Sequence, residues 1–262
     1  MYETRQQLLE FALDVARRAG DRTLLHFRGD LQVESKADAS PVTIADRDAE
    51  QLARELISER FPDDGIVGEE FGRHNPEAPR RWILDPIDGT RSFVQGVPLY
   101  GVLVAVEEDR EAIIGVIHFP ALDESVYAAA GEGCWCDGAP ARVSEVASVP
   151  DAVVLCTNAE ELEQRSAAGW NTVRHRARMV RTWGDCYGHA LVATGRAEAM
   201  IDPVLAHWDA AALKPVIEEA GGVFTDWGGA ATQLSDSGIA TNRRLATELR
   251  RLLGAAPPQA TP

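Results

Sequence analysis

The residues of this chain best suited to chemistry are carboxylates that stand where one structural element gives way to the next. The densest group is Arg81-Trp82-Ile83-Leu84-Asp85-Pro86-Ile87-Asp88-Gly89-Thr90. Trp82, Ile83 and Leu84 predict a short buried strand, which runs into a turn carrying Asp85, Asp88 and Thr90. Asp88 lies three residues after Asp85, so a tight turn can aim both carboxylates at one point. Two such groups repel unless a proton or a cation sits between them. A hard dication such as Mg2+ prefers these oxygen ligands and often keeps waters and substrate phosphate as further ligands. Pro86 removes a competing N–H, while Gly89 and Thr90 offer backbone N–H groups that suit a phosphate oxygen. The same residues also fit a plain Asp-Pro/Asp-Gly surface turn.

Further acids occupy comparable places. Glu69 and Glu70 are flanked by Gly68 and Gly72, and adjacent residues of an extended chain point to opposite sides, so one of the two can reach a given metal. Asp46 falls in the first turn of an expected helix, where it also suits the helix dipole. Asp209 stands at the start of a strongly apolar helix, where it also fits an N-cap. Each has a bland local explanation. Together, Glu69, Asp85, Asp88 and Asp209 supply the ligands that a two-metal phosphate-ester hydrolase needs, with Asp46 and Thr90 left to orient a water. Zinc chemistry lacks support: the histidines include no His-x-x-x-His pair, and Cys134, Cys136, Cys156 and Cys186 lack zinc-ligand spacing.

Composition narrows the partners. Among 262 residues, 26 Lys and Arg face 41 Asp and Glu, a net charge of −15 that repels nucleic acid and anionic lipid. An acidic protein acting on phosphate esters needs bound cations to reverse the local sign. No apolar run approaches membrane-spanning length and the first residues lack a secretory pattern, so a soluble, cytoplasmic protein is expected.

The elements that must position these acids follow from periodicity. Helices are expected over residues 4–27, opened by the Thr4-x-x-Gln7 capping box, and over 43–60, 158–172, 185–194, 209–220 and 243–253. A short strand at 32–36 and a loop at 37–41 separate the first two helices. Strands at 99–107, 111–119 and 125–130 are joined by short turns and should pair antiparallel. Strands at 153–155, 177–180, 197–201 and 222–225 follow, the last leading into a glycine-rich loop. The α/β chain divides into a lobe at 1–148 with most metal ligands, a lobe at 149–254 that completes the site, and a flexible tail at 255–262.

In three places the chain resembles the inositol monophosphatase family of Mg2+-dependent phosphomonoesterases: Gly68-Glu69-Glu70, Trp82-x-x-Asp85-Pro86-Ile87-Asp88-Gly89-Thr90 and Trp208-Asp209-x-Ala211-Ala212. The resemblance implies a layered αβαβα sandwich, usually paired as a homodimer. It implies a first metal on Glu69, Asp85 and the Ile87 carbonyl, and a second on Asp85, Asp88 and Asp209. Asp46 and Thr90, with Glu69, would serve the attacking water, in a direct displacement without a phosphoenzyme. Two or three Mg2+ per site are implied, with Mn2+ as a substitute and Li+ and Ca2+ as inhibitors. Within the family, Ser40-Pro41-Val42-Thr43-x-Ala45-Asp46, Arg91-Ser92-Phe93-Val94 and Gly184-Asp185-Cys186-Tyr187-Gly188 resemble the histidinol-phosphate phosphatase branch. Asp185, Cys186 and Asp202 would then join Asp88, Gly89 and Thr90 around a substrate that carries an ammonium group and an imidazole. Inositol 1-phosphate, another small sugar or nucleotide ester, and an inactive regulatory role are the other readings. Haloacid-dehalogenase phosphatases also end a motif in Asp-Gly-Thr, but space their two acids by two residues.

Overall fold

The computed structural model describes residues 3–29, 32–35 and 41–259. Ser40 and the rest of the loop expected at 37–41, apart from Pro41, lie outside the described residues, as does the end of the tail. Helix α1 (Arg5–Leu24) opens with the expected Thr4/Gln7 capping box, and α2 (Ile44–Arg60) with a second box formed by Thr43 and Asp46. Between them, β1 (Glu34–Ser35) and β2 (Pro41–Val42) make a two-stranded ribbon.

Eight strands form the larger sheet. In chain order they are β3 (Gly65–Gly68), β4 (Gly72–His74), β5 (Arg80–Asp88), β6 (Gly101–Glu108), β7 (Glu111–Phe119), β8 (Glu124–Ala129), β9 (Gly133–Cys136) and β10 (Ala139–Ala141). Their spatial order is β10-β9-β8-β7-β6-β5-β3-β4. The predicted antiparallel run β6-β7-β8 is present. A helix of five residues, α3 (Thr90–Val94), follows β5. The smaller sheet has order β12-β11-β13-β15-β14 and comprises β11 (Val153–Cys156), β12 (Met179–Arg181), β13 (Ala199–Asp202), β14 (Gly222–Thr225) and β15 (Gly238–Asn242). Its helices are α4 (Ala159–Arg176), α5 (Asp185–Ala193), α6 (His207–Glu219) and α7 (Ala246–Leu253).

Three apolar clusters show how the layers stack. Leu8, Val15 and Ala19 of α1 and Ala53 and Ile57 of α2 pack on Val102, Val104 and Val106 of β6. The alternate residues Leu103 and Ala105 face the other way, against Ala211, Leu213 and Val216 of α6 and Ala190 of α5. Because both faces of β6 are covered, its sequence is a continuous apolar run rather than an alternation. Beyond α5 and α6 lies the five-stranded sheet, whose outer face carries Val154 and Ile201 against Leu162 of α4 and Leu249 of α7. The sequence of layers is helix, sheet, helix, sheet, helix, as expected.

Helix α6 lies tightly on β7. A Cβ placed on Gly115 would lie 2.1 Å from the Ala212 carbonyl oxygen, a backbone atom that a rotamer change cannot move. Gly115→Ala is therefore expected to destabilise by about 2–3 kcal/mol, the cost of overpacking a tight core. A thermal melt should show a fall of roughly 5–10 °C; an unchanged melting temperature would show that α6 can retreat freely.

The structure also departs from expectation in places. The strand expected at 82–84 runs on to Asp88, and no turn separates Asp85 from Asp88. Instead the β5–β6 register slips between Asp85, opposite Leu103, and Asp88, opposite Gly101. A regular strand would put residues three apart on opposite faces; one extra residue in a bulge, at Pro86-Ile87, reverses that. The glycine-rich loop after Thr225 hides β15, which pairs antiparallel with both β13 and β14. Asp209 is not the N-cap of α6, a place taken by Ala206, but its third helical residue. Residues 255–259, expected to be mobile, lie against the loop at 226–230. Ala256 N–H donates to the Trp227 carbonyl and Gln259 N–H to that of Gly229.

Candidate active site

Two elements deliver the acids to one place. The bulged end of β5 presents Asp85 and Asp88, and the first turn of α6 presents Asp209; a carboxylate oxygen from each lies within 4.8 Å of the others. Each is held locally. Asp85 Oδ1 accepts the Ile87 N–H at 3.0 Å, Asp88 Oδ2 accepts the Cys186 N–H, and Asp209 Oδ2 reaches back to the Ala206 N–H at 2.9 Å. Asp209 thus uses one oxygen to close the helix start and keeps the other for the cluster.

Asp46 repeats this device at the start of α2. Its Oδ2 accepts both the N–H (2.8 Å) and the hydroxyl (2.7 Å) of Thr43, while its buried Oδ1 has no hydrogen-bond partner. A buried, unsatisfied carboxylate oxygen is costly and marks a place where a water or an ion belongs. Glu69 stands outside the tight trio. Its N–H donates to the Leu84 carbonyl beside Asp85, and its charge is felt by Asp46, Asp85 and Asp209. Thr90 donates its hydroxyl to the Ile87 carbonyl at 3.0 Å, which leaves that carbonyl a second lone pair and the Thr90 oxygen its own.

The electrostatics of the cluster show what kind of partner suits it. Asp85 is pushed well above the usual carboxylate range, first by burial and then by the charges of Glu69, Asp88 and Asp209. Burial, then Asp209, lifts Asp88 to about 8. Asp209 rises to about 7, burial outweighing the Ala206 N–H that opposes it. Acids that must hold protons at neutral pH are acids short of positive charge, and a dication supplies that charge through the oxygen ligands it prefers. The donor set, all oxygen, fits a hard metal ion.

Beyond the acids, a cavity of about 420 Å³ is lined by Gly89, Thr90, Arg91, Ser92, Gly184 and Asp185, among others. Gly89 is left-handed (φ +87°), and a Cβ there would lie 3.0 Å from Asp185 Oδ2. The turn needs a glycine on both counts. It caps α3, whose first amides have no helical acceptor and are free for an anion. Asp185 sits opposite at the start of α5, its carboxyl raised well above normal by burial, then by Asp88 and Asp202, with Arg91 opposing.

Two further residues expected around the substrate stand differently. The Cys186 side chain is fully buried in the core with Phe119, and both its thiol and its N–H hydrogen-bond to Asp88. Asp202 lies on β13, buried, with Oδ2 2.8 Å from His189 Nε2; its charge reaches Asp88, Asp185 and Asp209. Residues that sequence reasoning passed over also shape the site. Glu50 of α2 accepts the N–H groups of Glu70 (2.7 Å) and Phe71 (3.1 Å) and pairs with Arg54, which fixes the turn bearing Glu69. Its signal was an acid on the inward face of a helix, among Asp46, Ala49, Ala53 and Ile57. Buried Glu107 likewise ties His207 of α6 (2.7 Å) to Arg81 of β5 (2.6 Å).

The layered sandwich, the clustered acids and the amides beside them are those of a phosphoric monoester hydrolase whose acids could hold a metal. The inositol monophosphatase family model matches residues 4–256. A histidinol-phosphatase of Chlorobaculum parvum is 47% identical over 94% of this chain and 96% of its own, and one of Mycobacterium tuberculosis is 38% identical over 94% and 98%. Among solved structures, the extragenic suppressor protein suhB of Bartonella henselae superposes with a TM-score of 0.89 at 29% identity, covering 94% of this chain and 98% of its own. The chain belongs to the inositol monophosphatase family.

Proposed function

We propose that this protein is a Mg2+-dependent histidinol-phosphatase, which hydrolyses L-histidinol phosphate to L-histidinol and phosphate. The observation that carries this reading is the pair Asp185 and Asp202. Asp185 lines the cavity beside Gly89 and Thr90, and Asp202 is close enough to raise its carboxyl. Acids raised in this way are relieved by a cationic partner, and histidinol carries an ammonium group and an imidazole, whereas inositol carries neither. The likeness to two histidinol-phosphatases supports the same choice. Family membership supports the remainder of the reading, a cytoplasmic homodimer serving histidine biosynthesis.

In this mechanism Glu69, Asp85 and the Ile87 carbonyl hold one ion, and Asp85, Asp88 and Asp209 a second. When bound, the ions polarise the phosphate oxygens, lower the pKa of a neighbouring water and neutralise charge on the departing alkoxide. The protein's own groups do the positioning. Gly89 and Thr90 donate backbone N–H groups to the phosphoryl oxygens. Asp46, one oxygen locked by Thr43, offers the other to one O–H of the attacking water, and the Thr90 oxygen accepts a hydrogen bond from the other O–H. Asp185 orients the leaving alcohol through its cationic end, and buried Asp202 acts through the charge it places near Asp185.

The deciding measurement is phosphate release from histidinol phosphate and from inositol 1-phosphate by one Mg2+-loaded preparation. A preference of at least tenfold in kcat/KM for histidinol phosphate is expected, and Asp185→Asn should erase most of it; a preference for the inositol ester would overturn the assignment. Asp46→Asn separates positioning from binding. It should lower kcat on the order of 10²-fold, within the range for a positioned proton acceptor, with KM nearly unchanged. A change confined to KM would remove Asp46 from the water's path.

A further inference from the structure

The structure carries a second charged cavity, of opposite sign to the first. It holds about 120 Å³ and is lined by Arg73 of β4, Arg81 of β5, Arg110 of the β6–β7 hairpin and His207 of α6, with Glu77 at its edge. The guanidinium groups of Arg73 and Arg110 make no hydrogen bond or ion pair with another described residue, although both line this cavity. Arg81 and His207 are already aligned, both held by buried Glu107, whose carboxyl burial pushes up but His207, Gln233 and Arg81 together keep below its ordinary value.

Arg110 adds an independent sign. The hairpin joins paired Glu108 and Glu111 through Asp109 and Arg110, both left-handed (φ +50° and +70°). A two-residue turn of this kind favours Asn-Gly, so a bulky arginine at the second position is a strained choice. Gln233 fixes that turn by donating to the Arg110 carbonyl at 2.9 Å and to Glu107 at 3.1 Å. Strain held in place by its surroundings, with an unpaired guanidinium facing a cavity that two other arginines share, points to a ligand.

We propose that Arg73, Arg81, Arg110 and His207 form a binding site for a small tetrahedral oxyanion of the phosphate type. Guanidinium groups match its geometry by paired N–H donors. The volume is below that of a typical small-molecule pocket, so it takes a single phosphate-sized group. An adjoining cavity of about 220 Å³ shares Arg81 and Arg110 and leaves room for an organic part attached to that group. The site is distinct from the acidic cluster but borders it along the chain. Val67 precedes Glu69, Arg81 precedes Asp85, and His207 precedes Asp209, each by a few residues.

The test is equilibrium dialysis of the intact protein against labelled inorganic phosphate, with Mg2+ and with EDTA. Without metal, the acidic cluster repels anions, so the EDTA count reads the basic cavity alone. One phosphate per chain is expected in EDTA, and two with Mg2+ if the proposed active site also holds its product. Arg73 and Arg110 are exposed, so the R73A/R110A double variant should fold normally, keep its turnover at low phosphate, and weaken the EDTA-resistant phosphate at least tenfold. No saturable phosphate in EDTA, or equal binding by the double variant, would overturn the proposal. A parallel arm with phenylphosphonate separates the sources. Binding tenfold tighter than phosphate in the native chain, and lost in R73A/R110A, marks a phosphorylated organic ligand, whereas equal affinity marks free phosphate. The inference stands apart from the substrate reading, because loss of the Mg2+-dependent phosphate alone would leave the EDTA count unchanged.

Discussion

Asp88→Asn and Asp209→Asn are each expected to lower kcat by at least 10²–10³-fold, the loss typical when one group that stabilises transition-state charge is removed. The fold should survive. An asparagine oxygen can still accept the Cys186 N–H at position 88 and the Ala206 N–H at position 209, so both local anchors persist. What disappears is one negative charge from a trio whose oxygens lie within 4.8 Å of one another. The metal-free variants should consequently melt above the metal-free native protein at pH 8, although both bind Mg2+ more weakly. Rising stability with vanishing turnover is the signature of a site that stores repulsion for a cation. Native-like turnover in either variant would exclude that residue from the site, and a lower metal-free melting temperature would show that its charge is structural.

The second large effect is the response of stability to pH and metal. Asp88 and Asp209 have ordinary values near 3.8 when unfolded and are raised to about 8 and about 7 in the folded chain. Between those limits the folded state binds more protons than the unfolded one, so the metal-free protein loses stability as pH rises from about 4 to about 8. Mg2+ is expected to reverse the trend by replacing the protons. At a hundredfold excess over its Kd it should add about 2.7 kcal/mol, or roughly 5–10 °C, with most of the gain at pH 8 and little at pH 5. Thermal melts at both pH values, with Mg2+ or EDTA, check this. The Asp88→Asn/Asp209→Asn double variant assigns the slope: it should flatten. A metal-free melting temperature that climbs from pH 5 to pH 8 would contradict the packing of these acids as described.

Much of the candidate site was legible because its acids sit where local chemistry is loud. Asp85 and Asp88 are bracketed by an apolar strand, a proline and a glycine; Asp209 opens an apolar helix. Their convergence was legible, but the device was not: a bulge in β5, not a turn, brings Asp85 and Asp88 to one side. Register slips depend on the partner strand, which no local pattern encodes. For the same reason β15 went unseen, since Gly238–Asn242 is a strand only because β13 and β14 flank it. Asp46 and Asp209 were placed correctly at helix starts, yet their shared trick, one oxygen for the helix and one for the site, needs atomic geometry. Glu50 was overlooked because helix patterning counts apolar positions and passes over an acid that shares their face.

Helix α6 is packed against the larger sheet through Gly115 and against the smaller one through its connection to β14, and it carries Asp209 to acids that belong wholly to the chain before residue 90. The cradle is thus divided between two stretches of polypeptide separated by more than a hundred residues. A chain lacking its last third would present Asp85 and Asp88 without their counterpart, so the cluster exists only where both stretches have folded together.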